Sequence, residues 1–398
     1  MLYRRFGRTD IQLPVLSCGG MRSMQSWKAG DRVLDEAQAN LEACVRRALD
    51  LGIAHIETAR GYGTSEAQLG RILPTLPRSE IVVQSKVAPT ADPHEFAANF
   101  DDSMQRLGLE YLDLFALHGI NDRKVLEWAM RDGGCLDTAV QLRKQGRVRH
   151  IGFSTHAPTE VILDAIRSDR FDYVNLHYYY VFQDNRPAVE EAAARDMGVF
   201  IISPTNKGGK LEAPPAKLAQ LTAPLTPMEF NDLWCLSHPE VHTLSVGVAR
   251  PGDFDAHVAA VGRIEQGEDP KALTAPIAQR LQDEFERVLG RDWARRWREG
   301  LPHWHEVPGR MNVREILRLW NLTRAFDLSE YGKMRYNLLG NADHWFPGFK
   351  ADKLAEFSRA ELRAALSASP FPDRVIAALQ EADELLAGEA VRRLQQEE

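Results

Sequence analysis

Several features that define whole classes of protein are scarce or missing in this sequence. The 398 residues include four cysteines, which lie far apart and never form a CxxC spacing. Such spacing disfavours a disulfide framework or a cysteine metal site, and it fits a reducing compartment. No stretch reaches the roughly 20 apolar residues needed to span a bilayer, and the first residues lack the apolar core of a signal peptide. The formal net charge of -7 disfavours nucleic acid and anionic membranes. We therefore expect a cytoplasmic protein without a nucleic acid or membrane partner.

Short apolar runs alternate with amphipathic helical segments along the first two thirds of the chain. Alternating strands and helices favour parallel β–α units, and runs that are apolar almost throughout are typical of strands buried on both faces. Eight such units within roughly 250 residues predict a (β/α)8 TIM barrel. An open doubly wound sheet is the alternative, but it needs GxGxxG after the first strand, where this sequence has SCGGMRS. The predicted strand segments are 15–20, 53–58, 80–87, 111–119, 149–156, 173–180, 199–205 and 241–249.

The pattern becomes entirely helical from about residue 266 onwards. We predict a barrel over residues 1–265 and an all-helical C-terminal extension over 266–398, which would act as a lid or an oligomer interface. His303 and His305, in a Pro- and Trp-containing join, are expected to be packing or surface residues, and we predict no metal site. The predicted helices cover 273–290, 313–328, 359–368 and 372–396, with joins at 300–310 and 341–348.

Chemistry in such barrels gathers at the C-terminal ends of the strands. The stretch IETARGYGTSE places Glu57 at the second strand end and Tyr62 in the loop after it, while Lys86 and His118 end the next two strands. A free tyrosine has a pKa of roughly 10 and is a poor acid at neutral pH. A nearby Lys86 ammonium would stabilise the phenolate, and Glu57 would keep that lysine charged. Each residue alone has an ordinary structural explanation. Their joint placement instead predicts an acid that protonates an oxyanion, as carbonyl reduction requires.

These same residues resemble the aldo-keto reductase family. The stretch IETARGYGTSEAQLG is similar to the family signature, VVQSKV to its lysine strand and YLDLFALHG to its histidine strand. RHIGFSTH, YVNLHYYY and VGVARPGDFDAH follow in the matching order, so the resemblance covers roughly residues 1–265. It implies a (β/α)8 barrel that reduces a small aldehyde or ketone with NADP(H), with NAD as a possible substitute. It also implies that Tyr62 is the general acid/base, that Lys86 lowers its pKa and that His118 orients the carbonyl.

The resemblance further implies a set of cofactor-binding residues at the remaining strand ends. Ser154 and Asn175 would hold the nicotinamide carboxamide, and Gly247 and Arg250 would lie near the adenosine phosphate. Lys207 would reach the pyrophosphate, with a solvated lysine as the alternative. The whole predicted set is Gly20, Met21, Ser154, Thr155, Asn175, Ser203, Lys207, Gly247 and Arg250.

The sequence departs from the family pattern at three positions. Glu57 stands where the family usually has aspartate, Thr155 where many members have asparagine, and Ile202 where many have an aromatic residue over the nicotinamide. EYGKMRYN at 330–337 is similar to the tail of relatives that carry a C-terminal iron–sulfur module. Such a cluster needs cysteine thiolates, and no cysteine follows Cys235. We therefore expect no iron–sulfur cluster.

Two other functions remain open at this point. A sensor or regulatory subunit could bind the nicotinamide cofactor with little turnover, because a fold alone does not define an activity. A Schiff-base aldolase could use Lys86, although it would need a neutral lysine, which the Glu57 partner disfavours. The sequence does not specify the substrate. Four aromatic residues could line an aromatic pocket or belong to the core: Trp27, Tyr178, Tyr179 and Tyr180.

Overall fold

A closed barrel of eight parallel strands forms the main part of the chain. The computed structural model describes residues 1–340 and 347–389. Around the barrel the strand order is β10-β3-β4-β5-β6-β7-β8-β9. Each predicted strand segment overlaps one barrel strand, which confirms the (β/α)8 TIM barrel. The strands are β3 (Leu16–Gly19), β4 (His55–Glu57), β5 (Val82–Val87), β6 (Leu112–Leu117), β7 (Val148–Ser154), β8 (Tyr173–Leu176), β9 (Gly198–Ile201) and β10 (Thr243–Gly247).

Helices connect the barrel strands, and local sequence explains where several of them begin and end. The Asp92 side chain accepts from the His94 amide at the start of the helix Pro93–Leu107, and Gly108 ends that helix in a left-handed conformation. Residues 123–144 form two helices, which are separated by a turn containing Gly133 at φ 69°. These helices are α1 (Asp35–Asp50), α2 (Ser65–Ile72), α3 (Pro93–Leu107), α4 (Arg123–Met130), α5 (Cys135–Lys144), α6 (Thr159–Arg167), α7 (Arg186–Ala194), α8 (Pro204–Lys207), α10 (Pro227–Leu236) and α11 (Asp255–Glu265).

A short antiparallel hairpin packs against the barrel where its strands begin. The hairpin pairs β1 (Tyr3–Arg5) with β2 (Gln12–Pro14). Phe6 and Leu13 from this hairpin belong to one buried cluster with Leu114, Ala116, Tyr173 and Phe200 of the barrel. Sequence patterning misses these strands because three residues are too few to show an alternation. The hairpin leaves the opposite end of the barrel, where the strands end, for the candidate site.

The chain divides into two compact units, and each is discontinuous in sequence. The first comprises Met1–Gly208 and Met228–Leu273, and the second comprises Gly209–Pro227 and Thr274–Glu398. These limits differ from the boundary expected after residue 265. The helix Pro270–Leu289 runs across the limit between Leu273 and Thr274, and the salt bridge Lys217–Glu284, at 2.9 Å, joins the segment Gly209–Pro227 to this helix. Sequence patterns show where helices and strands lie along the chain, but they do not show that the segment Gly209–Pro227 belongs to the second unit.

The second unit is helical around a buried tryptophan. The Trp293 indole donates to the Asn321 side-chain oxygen at 2.8 Å, and its ring packs against Trp320 and Phe371. Residues 341–346 of the predicted join 341–348, and the end of the predicted helix 372–396 beyond residue 389, lie outside the described residues. The helices are α9 (Ala216–Thr222), α12 (Pro270–Leu289), α13 (Arg291–Arg296), α14 (Val313–Phe326), α15 (Ser329–Tyr336), α16 (Arg359–Ala365) and α17 (Pro372–Leu386).

The described residues contain neither a candidate membrane span nor a candidate metal-binding cluster. Among residues 1–340 and 347–389, no helix is both long enough and apolar enough to cross a membrane. The same residues contain no group of three or more His, Cys, Asp or Glu side chains that could hold a metal ion. His303 and His305 are both exposed, with their rings stacked 5.6 Å apart. All four cysteines are buried free thiols.

Candidate active site

Tyr62 is held in a tight loop between β4 and α2. Its amide donates to the Ala59 carbonyl at 2.9 Å, and the Thr64 amide donates to the Ser26 carbonyl at 2.9 Å. Gly63 has a φ of +47°, and a Cβ at that position would lie 1.9 Å from the Ser26 carbonyl oxygen. Only glycine fits there. At Gly61 the nearest contact of a Cβ would be 3.8 Å away, so that glycine is not required sterically.

The structure brings the four predicted catalytic side chains together at the ends of β4, β5 and β6. The Lys86 ammonium donates to Glu57 Oε2, and to the Thr58 carbonyl at 2.8 Å. The same ammonium lies 5.0 Å from the centroid of the Tyr62 ring. The Tyr62 ring meets the His118 ring edge-on, with 5.6 Å between centroids. A cation and an imidazole thus contact one half-buried phenol.

Burial and neighbouring charges act in opposite directions on Lys86, whose side chain is 1% exposed. Burial alone would lower the pKa of Lys86. The Glu57 carboxylate and the Tyr62 hydroxyl outweigh that effect, so the net pKa of Lys86 is raised. The lysine therefore stays charged at neutral pH. A Schiff-base aldolase needs the opposite state, so this environment disfavours the aldolase hypothesis.

Two predicted cofactor residues, Ser154 and Asn175, lie on the two strands that follow β6, and a third, Thr155, comes directly after the first of these strands. Ser154 and Asn175 are opposite each other in the β7–β8 pairing. The Gly119 amide, next to His118, donates to the Ser154 hydroxyl at 3.0 Å. The Asn175 side chain is fully buried, and its amide has no hydrogen-bond partner among the described residues. Thr155 instead donates its hydroxyl to the Ile120 carbonyl at 2.7 Å.

Lys207 lies in a cluster of basic side chains near the ends of β7 and β8. Its Nζ is 3.4 Å from His156 Nδ1 and 3.2 Å from His177 Nε2, and the side chain is 3% exposed. His177 Nδ1 bonds to the Tyr179 hydroxyl, which donates to the Ile202 carbonyl at 2.5 Å. Lys207 is therefore a buried partner of two imidazoles, and the solvated alternative does not hold.

The predicted residues Gly20, Met21 and Ser203 lie at two other strand ends. The Gly20 amide donates to the Glu57 carbonyl at 2.8 Å, which ties the end of β3 to the end of β4. Met21 follows directly and is half-buried. Ser203 follows β9 with a φ of 54° and precedes the short helix Pro204–Lys207.

Gly247 and Arg250 follow the last barrel strand. A Cβ at Gly247 would lie 3.0 Å from Arg22 Cδ, so the Arg22 side chain covers this glycine. The Arg250 side chain is 82% exposed and pairs with Asp253 at 3.1 Å. Arg22 is a basic residue near the end of β10 that sequence reasoning did not include.

Ser245 is a second residue that sequence reasoning missed. It lies on β10, and its hydroxyl donates to Glu57 Oε1 at 2.8 Å. The available signal was the period of two along a strand, since Ser245 precedes the predicted Gly247 by two positions. The same period relates His177 to the predicted Asn175.

Three of the four aromatic residues that could have lined a substrate pocket lie in two different environments. Tyr178 and Tyr179 are buried, and Tyr178 packs against Trp234 and His238 with centroid distances of 5.1 and 5.2 Å. Trp27 is largely exposed, next to Ser26, whose carbonyl contacts the Tyr62 loop. Trp27 is thus the one of these three that solvent and ligands can reach.

Comparison with known proteins agrees with this barrel. The family model described as "Aldo/keto reductase family" matches residues 15–217. That match covers half of the chain and includes Tyr62, Lys86 and His118. The chain belongs to the aldo/keto reductase family.

The individual relatives described here share less than a third of their aligned residues with this chain. L-glyceraldehyde 3-phosphate reductase of Escherichia coli K12 is 29% identical over 185 residues, which are 42% of this chain and 49% of the relative. L-galactose dehydrogenase of Arabidopsis thaliana is 26% identical over 279 residues, 60% of this chain and 83% of the relative. The holo form of an aldo-keto reductase from Bacillus halodurans is 20% identical, with a TM-score of 0.56, covering 69% and 96% of the two chains. The chain spans about half the length of the Escherichia coli reductase, and the structural likeness shows the fold.

Proposed function

We propose that this protein is an NADP(H)-dependent oxidoreductase that reduces an aldehyde or ketone to an alcohol. The observation that carries the proposal is the arrangement around Tyr62, whose phenol lies between the Lys86 ammonium and the His118 ring. Carbonyl reduction leaves charge on the substrate oxygen. A phenol beside a buried cation is a suitable donor for that oxygen.

Each side chain has a separate role in the proposed proton transfer. Tyr62 donates its proton to the carbonyl oxygen, and the Lys86 charge stabilises the phenolate that remains. Glu57 keeps Lys86 protonated and fixes its position through the buried ion pair. His118 directs the carbonyl oxygen towards Tyr62 by a hydrogen bond. The nicotinamide cofactor, when bound, supplies the hydride.

The residues near β7 and β8 fit a nicotinamide group. The Asn175 amide is buried without a hydrogen-bond partner among the described residues, and such a group costs free energy until something pairs with it. A carboxamide offers both a donor and an acceptor, and Ser154 lies opposite on the neighbouring strand. The Arg250 guanidinium is 82% exposed near the end of β10 and could pair with the extra adenosine phosphate of NADP, which supports NADP over NAD.

The relatives support the same class of reaction. The two curated relatives are named a reductase and a dehydrogenase, and the names of their substrates are those of an aldehyde and of a sugar. A small polar carbonyl compound is therefore the first substrate class to test. The four free, buried thiols favour a reducing compartment such as the cytoplasm. The helical second unit would serve oligomerisation.

The test compares the wild type with Tyr62→Phe, which removes the acid and keeps the ring. Quenching of protein fluorescence measures NADPH binding, and loss of NADPH absorbance on adding 4-nitrobenzaldehyde or glyceraldehyde measures turnover. We expect both proteins to bind NADPH and only the wild type to turn over. Binding without turnover in either protein would favour a cofactor-binding sensor instead. Absence of binding would refute the proposed function.

A further inference from the structure

The Glu57 carboxylate has two separate hydrogen-bond donors, one on each oxygen. Lys86 donates to Oε2 and Ser245 donates to Oε1, the latter at 2.8 Å. We propose that Ser245 is a positioning residue for the reaction: it holds the orientation of Glu57, and through Glu57 the place of Lys86 beside Tyr62. This assignment rests on the proposed function. Ser245 would act through Glu57 without contacting the substrate.

The length of glutamate explains why a second donor is needed. Glutamate has one more rotatable bond than the aspartate that usually stands here in the family, so its carboxylate can swing. A single bond to Lys86 would leave the other oxygen without a donor in a site where Glu57, Lys86 and Ser245 are all buried. A buried carboxylate oxygen without a donor is costly. With both oxygens bound, the plane of the carboxylate is fixed and so is the lysine that depends on it.

The hydroxyl reaches Glu57 across an intervening strand. Strand β3 lies between β10 and β4 in the barrel, and Gly19 of β3 pairs with Glu57 on one side and Gly247 on the other. A Cβ at Gly19 would lie 3.0 Å from Glu57 Oε1 and 3.2 Å from the Ser245 hydroxyl. A methyl group there would press on both atoms of the hydrogen bond. The hydrogen bond between Ser245 and Glu57 therefore depends on the absence of a side chain at Gly19.

Ser245→Ala tests the proposal by removing the hydroxyl alone. We expect kcat to fall roughly tenfold, with the KM for the carbonyl and the Kd for NADPH unchanged, because the acid is misplaced while binding is not. Ser245→Thr retains a hydroxyl and should keep at least half of the wild-type kcat. Ser17→Ala is the matched control, because Ser17 is equally buried but donates to the Leu244 carbonyl at 3.3 Å.

A double-mutant cycle with Glu57→Asp distinguishes positioning from a general structural effect. The shorter carboxylate cannot reach both donors, so Ser245→Ala should lower kcat less than twofold in the Glu57→Asp background. Equal losses in both backgrounds would overturn the proposal. So would a Ser245→Ala enzyme with wild-type kcat, or a Ser17→Ala enzyme that is as slow as Ser245→Ala.

Thermal unfolding of the same variants separates this proposal from the proposed function. If the wild type binds NADPH but reduces no carbonyl compound, the proposed function fails, and the unfolding midpoints still test the contact. Ser245→Ala should lower the midpoint by about 2 °C more in the Glu57 background than in the Glu57→Asp background. Equal shifts in the two backgrounds would overturn the contact itself.

Discussion

Among the groups that surround the Tyr62 phenol, the Lys86 ammonium is the one whose removal should slow the proton transfer most. It lies 5.0 Å from the centre of the Tyr62 ring, in a buried site. Two unit charges at that separation interact by about 3 kcal/mol at an effective dielectric constant of about 20. That free energy corresponds to about a hundredfold change in rate. Because the phenolate forms only as its proton leaves, Lys86→Met should lower kcat about a hundredfold and leave NADPH binding intact.

Lys86→Met has a second effect, which needs its own control. Methionine leaves the Glu57 carboxylate buried without its counter-ion, and breaking a buried ion pair costs about 3–5 kcal/mol of stability. The double variant Glu57→Gln with Lys86→Met has no buried charge at this site. It should unfold at a higher temperature than the single variant and yet be equally slow. Single-turnover measurement of NADPH oxidation on all three proteins gives the chemical step directly.

The measurement can refute the electrostatic reasoning. A folded Lys86→Met protein whose chemical step stays within threefold of the wild type would show that the cation does not stabilise the Tyr62 phenolate. A double variant with restored rate would show that the single variant is slow because of the unpaired Glu57 charge.

Two further predictions concern the loop and the barrel interior. Gly63→Ala should lower kcat/KM at least tenfold, which corresponds to an activation free energy higher by about 1.4 kcal/mol or more, because the added methyl group meets the Ser26 carbonyl. In Gly61→Ala, kcat/KM should stay within twofold of the wild-type value. Equal effects of the two substitutions would contradict the steric argument. Burial and the Lys86 charge lower the pKa of His55 to about 3. Below about pH 6.5 the His55 side chain therefore binds a proton in the unfolded state but not in the folded state, and the free energy of unfolding falls as the pH falls. Between pH 7 and pH 5, urea unfolding should show the wild type losing about 2 kcal/mol more stability than His55→Gln, and equal losses would rule out His55 as the cause.

Most of the barrel could be predicted from sequence because its strands are buried on both faces. Such strands form apolar runs whatever their neighbours are, so eight runs were visible without knowledge of the sheet. The hairpin containing Phe6 and Leu13 was not visible, since its strands have three residues each. Segment 209–227 was also missed, because its membership of the second unit depends on contacts with residues far along the chain.

The residues of the candidate site also differ in how far the sequence could predict them, because some depend on neighbouring strands and others on long-range contacts. Glu57, Tyr62 and Lys86 could be proposed from sequence because consecutive parallel strands place their ends side by side. The period of two along β10 could have indicated Ser245, but its contact with Glu57 could not be predicted, because the two residues become neighbours only when the last strand closes the barrel onto the first. Lys207 was expected near the pyrophosphate, and its contacts with two imidazoles depend on the rotamer, which sequence does not encode.

The insertion of Gly209–Pro227 between β9 and β10 has a consequence for folding during synthesis. This segment leaves the ribosome before its partners, since Lys217 pairs with Glu284 and the Ala223 carbonyl accepts from Arg280. It emerges before β10 as well, the strand that must pair with both β9 and β3. At that stage the nascent chain contains seven of the eight barrel strands, together with the segment Gly209–Pro227, whose partners Glu284 and Arg280 have not yet been synthesised. Neither unit can be completed until residues belonging to the other have been translated.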